Sequence, residues 1–333
     1  MNEFNHFLGI DISKEFFDAM VIIDGDMAKP EHRRFNNDRK GIMALLKWLG
    51  RYGSNADNTL VCLEHTGMYG KPVIKYLLAF KFSLWVEMSF RIIRSTGIQR
   101  GKNDKSDAYR IACYALKNVA AATIYRAPRT VVEKIRTLLS LRDKLLSTKV
   151  KLTRCEKELK TFDPVLSKLC KQSQARTLKG IDRDIADIDG RIKALIEEDT
   201  GLAKLFRQTT SVVGVGRVTA LYLIVFTNEF TMYTNPRQLA FYPGVVPFEH
   251  TSGKSVRGRP KVHHMANKRL KKQLHLCAMS AIMHDPEIKR YYNRKVAEGK
   301  AKMLVINNVR NKIVQRICSC IKNDKLYQKN LAA

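Results

Sequence analysis

Two acidic residues stand inside short, β-branched, apolar runs of the chain, Asp11 in FLGIDIS and Glu64 in TLVCLEHT. Such runs predict buried strands, and a carboxylate buried among apolar side chains is costly unless a cation is paired with it. Asp104 and Asp107, in KNDKSDAYRIA, stand three residues apart at the start of a predicted helix and therefore share one helix face. The four acids predict a fold that gathers carboxylates around divalent metal ions, as phosphoryl-transfer enzymes do.

The first 125 residues have an order of apolar segments that is typical of an α/β domain. We expect strands over 7–13, 16–23 and 32–35, a helix with Ile42, Leu45, Leu46 and Leu49 on one face, a strand over 59–65, a helix over 71–80, a strand over 82–87 and a helix from about 104 to 116. The first two strands are separated by a short turn, which indicates a hairpin. This order predicts a mixed sheet with helices packed on it.

Heptad spacing dominates the chain after Pro128. Leucines recur every seven residues, at Leu138, Leu145, Leu152 and Leu159, and a second apolar seam follows at Leu178, Ile181, Ile185, Ile188, Ile192 and Leu195. Two such helices with a break at Pro164 predict an antiparallel coiled-coil hairpin over residues 126–200. Its seams either pack only on each other or also bring protomers together. Residues 201–333 predict a mainly helical domain with a turn-rich loop.

The charge balance indicates a polyanionic partner. Sixty Lys and Arg against 31 Asp and Glu give a formal net charge of +29, which suits nucleic acid. The hydrophobic fraction of 45% is enough for packed cores and excludes a disordered basic tail. Because no apolar run reaches roughly 18 residues and the first residues do not resemble a signal peptide, we expect no membrane span and a cytoplasmic, nucleoid-associated protein. Seven cysteines without a CxxC pair also favour a reducing compartment and no zinc finger.

The turn-rich loop contains one small hydroxyl group among cations. From Thr251 to Lys272 the chain carries eight Lys or Arg and no acid, and Ser252 is flanked by Gly253 and Lys254. Such a composition is most often an exposed loop, whereas cations around a hydroxyl could hold a phosphate group and stabilise its transition-state charge. Residues predicted to bind nucleic acid are Lys254, Arg257, Arg259 and Lys261 here, and Arg91, Arg94, Arg100 and Lys102 before the first acidic helix.

Taken together, GIDISK, LEHTG, KNDKSDA and PGVVPFEHTSGKSVRGR resemble the DEDD-type transposases of insertion sequences. This family includes the Piv DNA invertase and the bridge-RNA-guided serine recombinases, and the resemblance covers nearly the whole chain. It implies an α/β plus α architecture of three domains. A RuvC-like, RNase-H-type domain would occupy residues 1–125, a coiled-coil hairpin 126–200, and a mainly helical transposase domain 201–333.

The resemblance also implies a chemistry. Mg²⁺ would be bound by Asp11, Glu64, Asp104 and Asp107, and Ser252 would attack DNA to form a 5′-phosphoserine link. Partners would be donor and target DNA, a noncoding guide RNA and further copies of the chain in a dimer or tetramer. The sequence departs from the family where many members carry two serines before the glycine, because Thr251 precedes Ser252, and where a Gly-Asn pair is common, because Ala266 precedes Asn267.

Two other functions fit the same residues. In a RuvC-like nuclease, the four acids would activate water and Ser252 would be an ordinary loop residue. A nucleic-acid scaffold without catalysis would not need the complete set of acids. Recombination requires the acids and Ser252 to act together, within one chain or between protomers, with a carboxylate accepting the serine proton.

Overall fold

The computed structural model describes residues 4–65, 67–96, 103–233, 235–246, 248–252, 256–262 and 266–328. Between 248 and 261 the description is of the backbone alone. The chain divides into two compact units, residues 1–127 and residues 128–333. None of the helices in these ranges combines the length and apolar character that a membrane span requires.

The first unit is a mixed α/β fold, as the sequence predicts. Its elements in chain order are β1 (His6–Ile12), β2 (Phe16–Ile22), β3 (Glu31–Asn36), α1 (Arg39–Gly50), β4 (Thr59–Glu64), α2 (Lys71–Ala79), β5 (Ser83–Glu87), α3 (Ser89–Thr96) and α4 (Asp104–Lys117). The strands form one sheet in the order β3-β2-β1-β4-β5. Pairing is antiparallel among β1, β2 and β3, and parallel from β1 to β4 and from β4 to β5. The short helix α3 is not among the predicted elements.

Each face of the sheet is covered by helices. On one face, Leu8 and Ile10 pack with Ile42 and Leu45 of α1 and with Leu77 of α2. The opposite face packs against α4, where Phe7, Met20 and Cys62 contact a core that includes Ala108 and Ala112. Alternation along a strand therefore decides which side chains face α4, and Asp11 falls in that set.

The second unit begins with two long helices, α5 (Thr130–Phe162) and α6 (Pro164–Glu197). Asp163 connects them and caps α6, because its carboxylate accepts hydrogen bonds from the backbone N–H of Val165 and Leu166. Ion pairs from Arg142 to Asp189, at 2.8 Å, and from Lys149 to Asp182 show that the helices run antiparallel. The predicted antiparallel helix pair is therefore confirmed, with its turn at Asp163 and Pro164.

Further helices complete this unit. They are α7 (Thr200–Ser211), α8 (Arg217–Phe226), α9 (Pro236–Phe241), α10 (Lys268–His284), α11 (Pro286–Ala297) and α12 (Lys302–Lys322), with β6 (Phe248–Ser252) and β7 (Val256–Lys261) between α9 and α10. The mainly helical character is as predicted. The segment predicted as a turn-rich loop instead contains an antiparallel hairpin of β6 and β7. Neither strand has the apolar alternation by which strands are recognised.

Two contacts fix α8 within this unit. Gly214, just before α8, has φ +91, and a Cβ atom there would lie 2.6 Å from the carbonyl oxygen of Cys277 in α10. Only glycine fits both the backbone conformation and the space. The buried Tyr222 of α8 donates its hydroxyl proton to Asp143 of α5, and Arg269 of α10 lies 2.9 Å from the same carboxylate. The base of the α5–α6 pair is thereby joined to the helical core.

Candidate functional site

A row of charged residues crosses the sheet of the first unit at one level. Asp11 lies opposite Asp18 of β2, and Asp18 lies opposite Arg34 of β3. On the other side, Glu64 occupies the position after the Ile10–Leu63 pair and lies opposite Glu87 of β5. Because residues in register point to the same face, four acids and one arginine line the face that α4 covers. All five strands contribute to this row.

Gly9 lets α4 approach that face closely. A Cβ atom at Gly9 would lie 2.3 Å from the carbonyl oxygen of Ala108 and 2.3 Å from the backbone nitrogen of Ala112. The helix starts at a capping box, in which Asn103 accepts a hydrogen bond from the N–H of Ser106 at 2.7 Å. Asp104 and Asp107 occupy its first turn, where the helix dipole stabilises negative charge.

The electrostatics show that these acids lie near one another. Burial, together with the negative charges of Glu64, Asp107, Asp104 and Asp18, raises the pKa of Asp11 to about 6. Within the described part of the chain, the Asp11 carboxylate has no hydrogen-bond or ion-pair partner. Asp11 therefore lies in a field of uncompensated negative charge.

The other acids have partners. Arg34 connects two of them, because its guanidinium lies 2.8 Å from Asp18 and 2.7 Å from Asp104. Asp18 is buried and also lies 2.7 Å from Nε2 of His32. Asp107 pairs with Arg110 at 2.6 Å, and Glu64 accepts a hydrogen bond from the hydroxyl of Ser89 at 2.7 Å.

Glu87 closes the row on β5. It is buried, and its carboxylate accepts hydrogen bonds from the backbone N–H of Met88 at 2.8 Å and from the hydroxyl of Tyr114 at 3.2 Å. Asp18, Glu87 and Arg34 are absent from the site residues predicted from sequence. The register of the sheet places them in the row, and the sequence alone does not give that register.

The donor chemistry of the row suits a hard divalent cation, since it consists of carboxylate oxygens around an excess of negative charge. Within the described ranges, no group of three or more Asp, Glu, His or Cys side chains is placed to bind one metal ion. Arg34 and Arg110 hold two of the four predicted ligands, Asp104 and Asp107. Each of these ion pairs uses one carboxylate oxygen, so a metal ion bound by all four acids would use the second oxygen of Asp104 and of Asp107.

The predicted nucleophile lies in the second unit. Ser252 is the last residue of β6, where its backbone pairs with Val256 of β7. Arg257, Arg259 and Lys261 lie on β7, so the hairpin carries cations on the strand that follows the serine. Lys254, together with Arg100 and Lys102 of the first unit, lies outside the described residues.

Arg91 and Arg94, predicted to bind nucleic acid, are exposed on α3. The Arg91 guanidinium lies 3.4 Å from Glu87, and that of Arg94 lies over the ring of Phe90 at 4.2 Å. Such surface contacts are weak, so both arginines remain accessible to a ligand.

Comparison with known proteins gives a consistent match in both units. A family model of DEDD transposases of the IS110 type, described as a transposase, matches residues 8–164. A second model, described as the transposase IS116/IS110/IS902 family, matches residues 207–293. The first match spans all four predicted acids, and the second spans Ser252.

Individual relatives have low sequence identity to this chain, but two of the alignments cover nearly its whole length. The chain is 23% identical over 329 residues to the pilin gene-inverting protein of Moraxella bovis, with 98% of each chain covered. The corresponding protein of Moraxella lacunata is 22% identical over the same length. A 43.6 kDa uncharacterised protein of insertion element IS110 from Streptomyces coelicolor is 26% identical over 161 residues, which are 48% of this chain and 38% of that protein.

The raised pKa of Asp11 predicts a pH-dependent loss of stability. The folded state holds this proton up to about pH 6, whereas the unfolded chain releases it near 3.8. The free energy of unfolding therefore falls as the pH rises between these values, by at most roughly 3 kcal/mol. The side chain of Asp11→Asn does not ionise, so its free energy of unfolding does not fall in this way. We expect this variant to be more stable than the wild type at about pH 8 and similar to it at about pH 4.

Urea unfolding followed by tryptophan fluorescence measures this directly, because both tryptophans, Trp48 and Trp85, are buried in the first unit. The buffers contain EDTA so that no metal ion compensates the acids. Asp57→Asn, at an exposed position before β4, is the control and should follow the wild type. A stability difference between Asp11→Asn and the wild type that is the same at both pH values would contradict the raised pKa of Asp11.

Proposed function

Since this chain belongs to the IS110 family of transposases, we propose that it is a DNA recombinase that cuts and rejoins strands without net hydrolysis. The observation that carries the proposal is the convergence of Glu64, Asp104 and Asp107 on Asp11 with an excess of negative charge. Full-length similarity to proteins named for pilin gene inversion supports DNA strand exchange as the outcome. The net charge of +29 suits a partner made of DNA.

A RuvC-like, RNase-H-type fold is part of the proposal for the first unit. It is supported by the mixed sheet, in which three antiparallel strands are extended by two parallel strands, with α4 packed on the face that carries the acids. The three-domain division at 126 and 201 is likewise proposed, with the α5–α6 pair as the middle domain.

Mg²⁺ would be held by Asp11, Glu64, Asp104 and Asp107, and when bound it would stabilise negative charge on the attacking and leaving oxygens. The chain's own residues prepare this site. Gly9 sets the distance between β1 and α4, and Arg34 fixes Asp104 relative to the buried Asp18. The carboxylate of Asp11, with its raised pKa, suits the role of proton acceptor near neutral pH.

Ser252 would be the nucleophile. Its Oγ forms a bond to the phosphorus of a DNA phosphodiester, and the serine proton passes to a base. The bond from phosphorus to O3′ breaks, and the O3′ oxygen takes up a proton from an acid group or from water and leaves as a hydroxyl group. The product is a 5′-phosphoserine link. Attack by the 3′ hydroxyl of another strand reverses these steps and frees the serine. Each bond broken is replaced by one formed, so rejoining needs no separate energy source.

Hydrolysis by a RuvC-like nuclease is the second candidate. One observation favours it: the four acids all lie within the first unit, so metal-dependent activation of water would not require Ser252. The two candidates differ in their product, because a nuclease leaves free ends and a recombinase leaves protein attached to DNA.

Replacement of Ser252 separates the candidates. In cells that carry the element, we expect the wild type to give protein–DNA adducts that survive denaturing gels, and Ser252→Ala to give none. The variant should fold normally, since loss of one hydroxyl outside a packed core usually changes stability by less than about 0.5 kcal/mol. Ser255→Ala is the matched control and should retain the adduct. Adducts formed by Ser252→Ala would refute the assignment, and free ends without adducts in the wild type would favour the nuclease.

A noncoding guide RNA and assembly through the α5–α6 pair also belong to the proposal. Toward the turn of the pair the seam is incompletely covered: Leu152, Leu159, Leu178 and Ile185 are only half-buried, and Phe162 and Val165 at the turn are 86% and 78% exposed. A single helix pair cannot bury both sides of such a seam. A second copy of the pair, in a dimer or tetramer, would cover it.

Charges introduced into the seam test this assembly. We expect Leu152→Asp combined with Leu159→Asp to lower the mass measured by light scattering in the presence of nucleic acid, because a buried unpaired carboxylate opposes association. The control is Ser147→Asp combined with Thr161→Asp, which adds the same charge at exposed positions of α5 and should leave the mass unchanged. Equal masses for the seam variant and the wild type would restrict the seam to packing within one chain.

A further inference from the structure

Arg310, in the middle of α12, is buried without an acid. Arg310 is 5% exposed, and among the described residues no carboxylate pairs with its guanidinium group. One NH₂ group lies 2.7 Å from Nδ1 of His275, the other donates to Oδ1 of Asn307 at 3.3 Å, and Nε has no partner. A buried guanidinium without a counter-charge is costly, so this position calls for an anion.

Lys271 adds a second basic group near Arg310, and His275 accepts a hydrogen bond from Arg310 at Nδ1. Lys271 and His275, one turn apart on α10, are both half-buried. Burial and the charge of Arg310 lower the pKa of Lys271 and the pKa of His275. Together, the three side chains (Lys271, His275 and Arg310) form what we call the α10–α12 basic cluster.

A second arginine on α12, Arg316, is paired with acids and serves as a comparison. Arg316 lies two turns further along the helix and is also largely buried, but it lies 2.6 Å from Asp285 and 2.7 Å from Glu287. The helix therefore neutralises one buried arginine with two carboxylates. In the described structure, Arg310 receives none.

The α10–α12 basic cluster is linked to the segment before β6, the strand that ends at Ser252. Asn307, which accepts a hydrogen bond from Arg310, donates one from Nδ2 to the carbonyl oxygen of Val245 at 2.5 Å. Val245 stands seven residues before Ser252 in the chain. An anion bound at Arg310 would thus be held next to the segment that enters β6.

We propose that the α10–α12 basic cluster binds one phosphodiester group of a nucleic-acid backbone. Guanidinium groups recognise phosphate oxygens through paired N–H donors, and a lysine nearby adds a second charge. The choice of a nucleic-acid phosphate over a free phosphate ion rests on the proposed function. The site itself rests on Arg310 and its surroundings.

Thermal unfolding of the full chain tests the anion site. At equal ionic strength, we expect the wild type to unfold a few degrees higher in sodium phosphate than in sodium chloride, because phosphate binds only the folded state. Arg310→Met, which keeps the volume of the side chain without its charge, should lose this increment and be at least as stable in chloride. Arg290→Met removes an exposed arginine of α11 and should keep the increment.

Binding of a short DNA duplex, measured by fluorescence anisotropy over a range of salt, identifies the source of the phosphate. Arg310→Met should weaken binding roughly tenfold and reduce the slope of log K against log salt by about one. Loss of the phosphate increment with an unchanged DNA slope would overturn the nucleic-acid assignment. No increment in the wild type would overturn the site altogether.

If Arg310→Met does not fold, Lys271→Met, at a half-buried position, replaces it in both assays. Neither assay depends on strand exchange. A nuclease or a scaffold with this site would give the same result as a recombinase, so failure of the site and failure of the proposed function are distinguishable.

Discussion

Holding several carboxylates on one face of a sheet is the constraint on which the first unit depends. Parallel and antiparallel pairings place Asp18, Asp11, Glu64 and Glu87 side by side, and the glycine at position 9 lets α4 add two further acids from above. Each of these features would be a liability in a fold without a cation to bind. The chain tolerates them because Arg34 and Arg110 neutralise part of the charge and His32 lies within hydrogen-bond distance of Asp18.

Each unit contains one local site with an excess of charge, and the two excesses have opposite sign. In the first, Asp11 has a raised pKa because it is buried and has other acids around it. In the second, Arg310 is buried with only neutral or basic neighbours among the described residues. A metal ion relieves the first excess and a phosphate group relieves the second. An enzyme that joins DNA binds both a metal ion and a phosphate group, since its substrate is a phosphodiester and its chemistry stabilises charge on that group.

Local patterns predicted most of this architecture. Apolar runs located four of the five strands, and a short extended segment over 32–35 located the other. Apolar seams of Leu and Ile located α5 and α6, because such signals depend on residues close in sequence. The β6–β7 hairpin was missed since FEHTS and VRGRPK lack apolar alternation. Asp18, Arg34 and Glu87 gave no sequence signal of a site, because only sheet register places them beside Asp11. That no described acid pairs with Arg310 depends on packing between α10 and α12, which periodicity does not reveal.

The central claim is that the acids of the first unit form one divalent-metal site. Isothermal titration of Mn²⁺ into the full-length chain tests it most directly, because the heat reports binding without requiring DNA, guide RNA or catalysis. The account predicts saturable binding by the wild type and by Asp57→Asn, and a marked loss of affinity in Asp11→Asn and Asp104→Asn. Absence of saturable binding in the wild type, or equal binding by all four proteins, would contradict it.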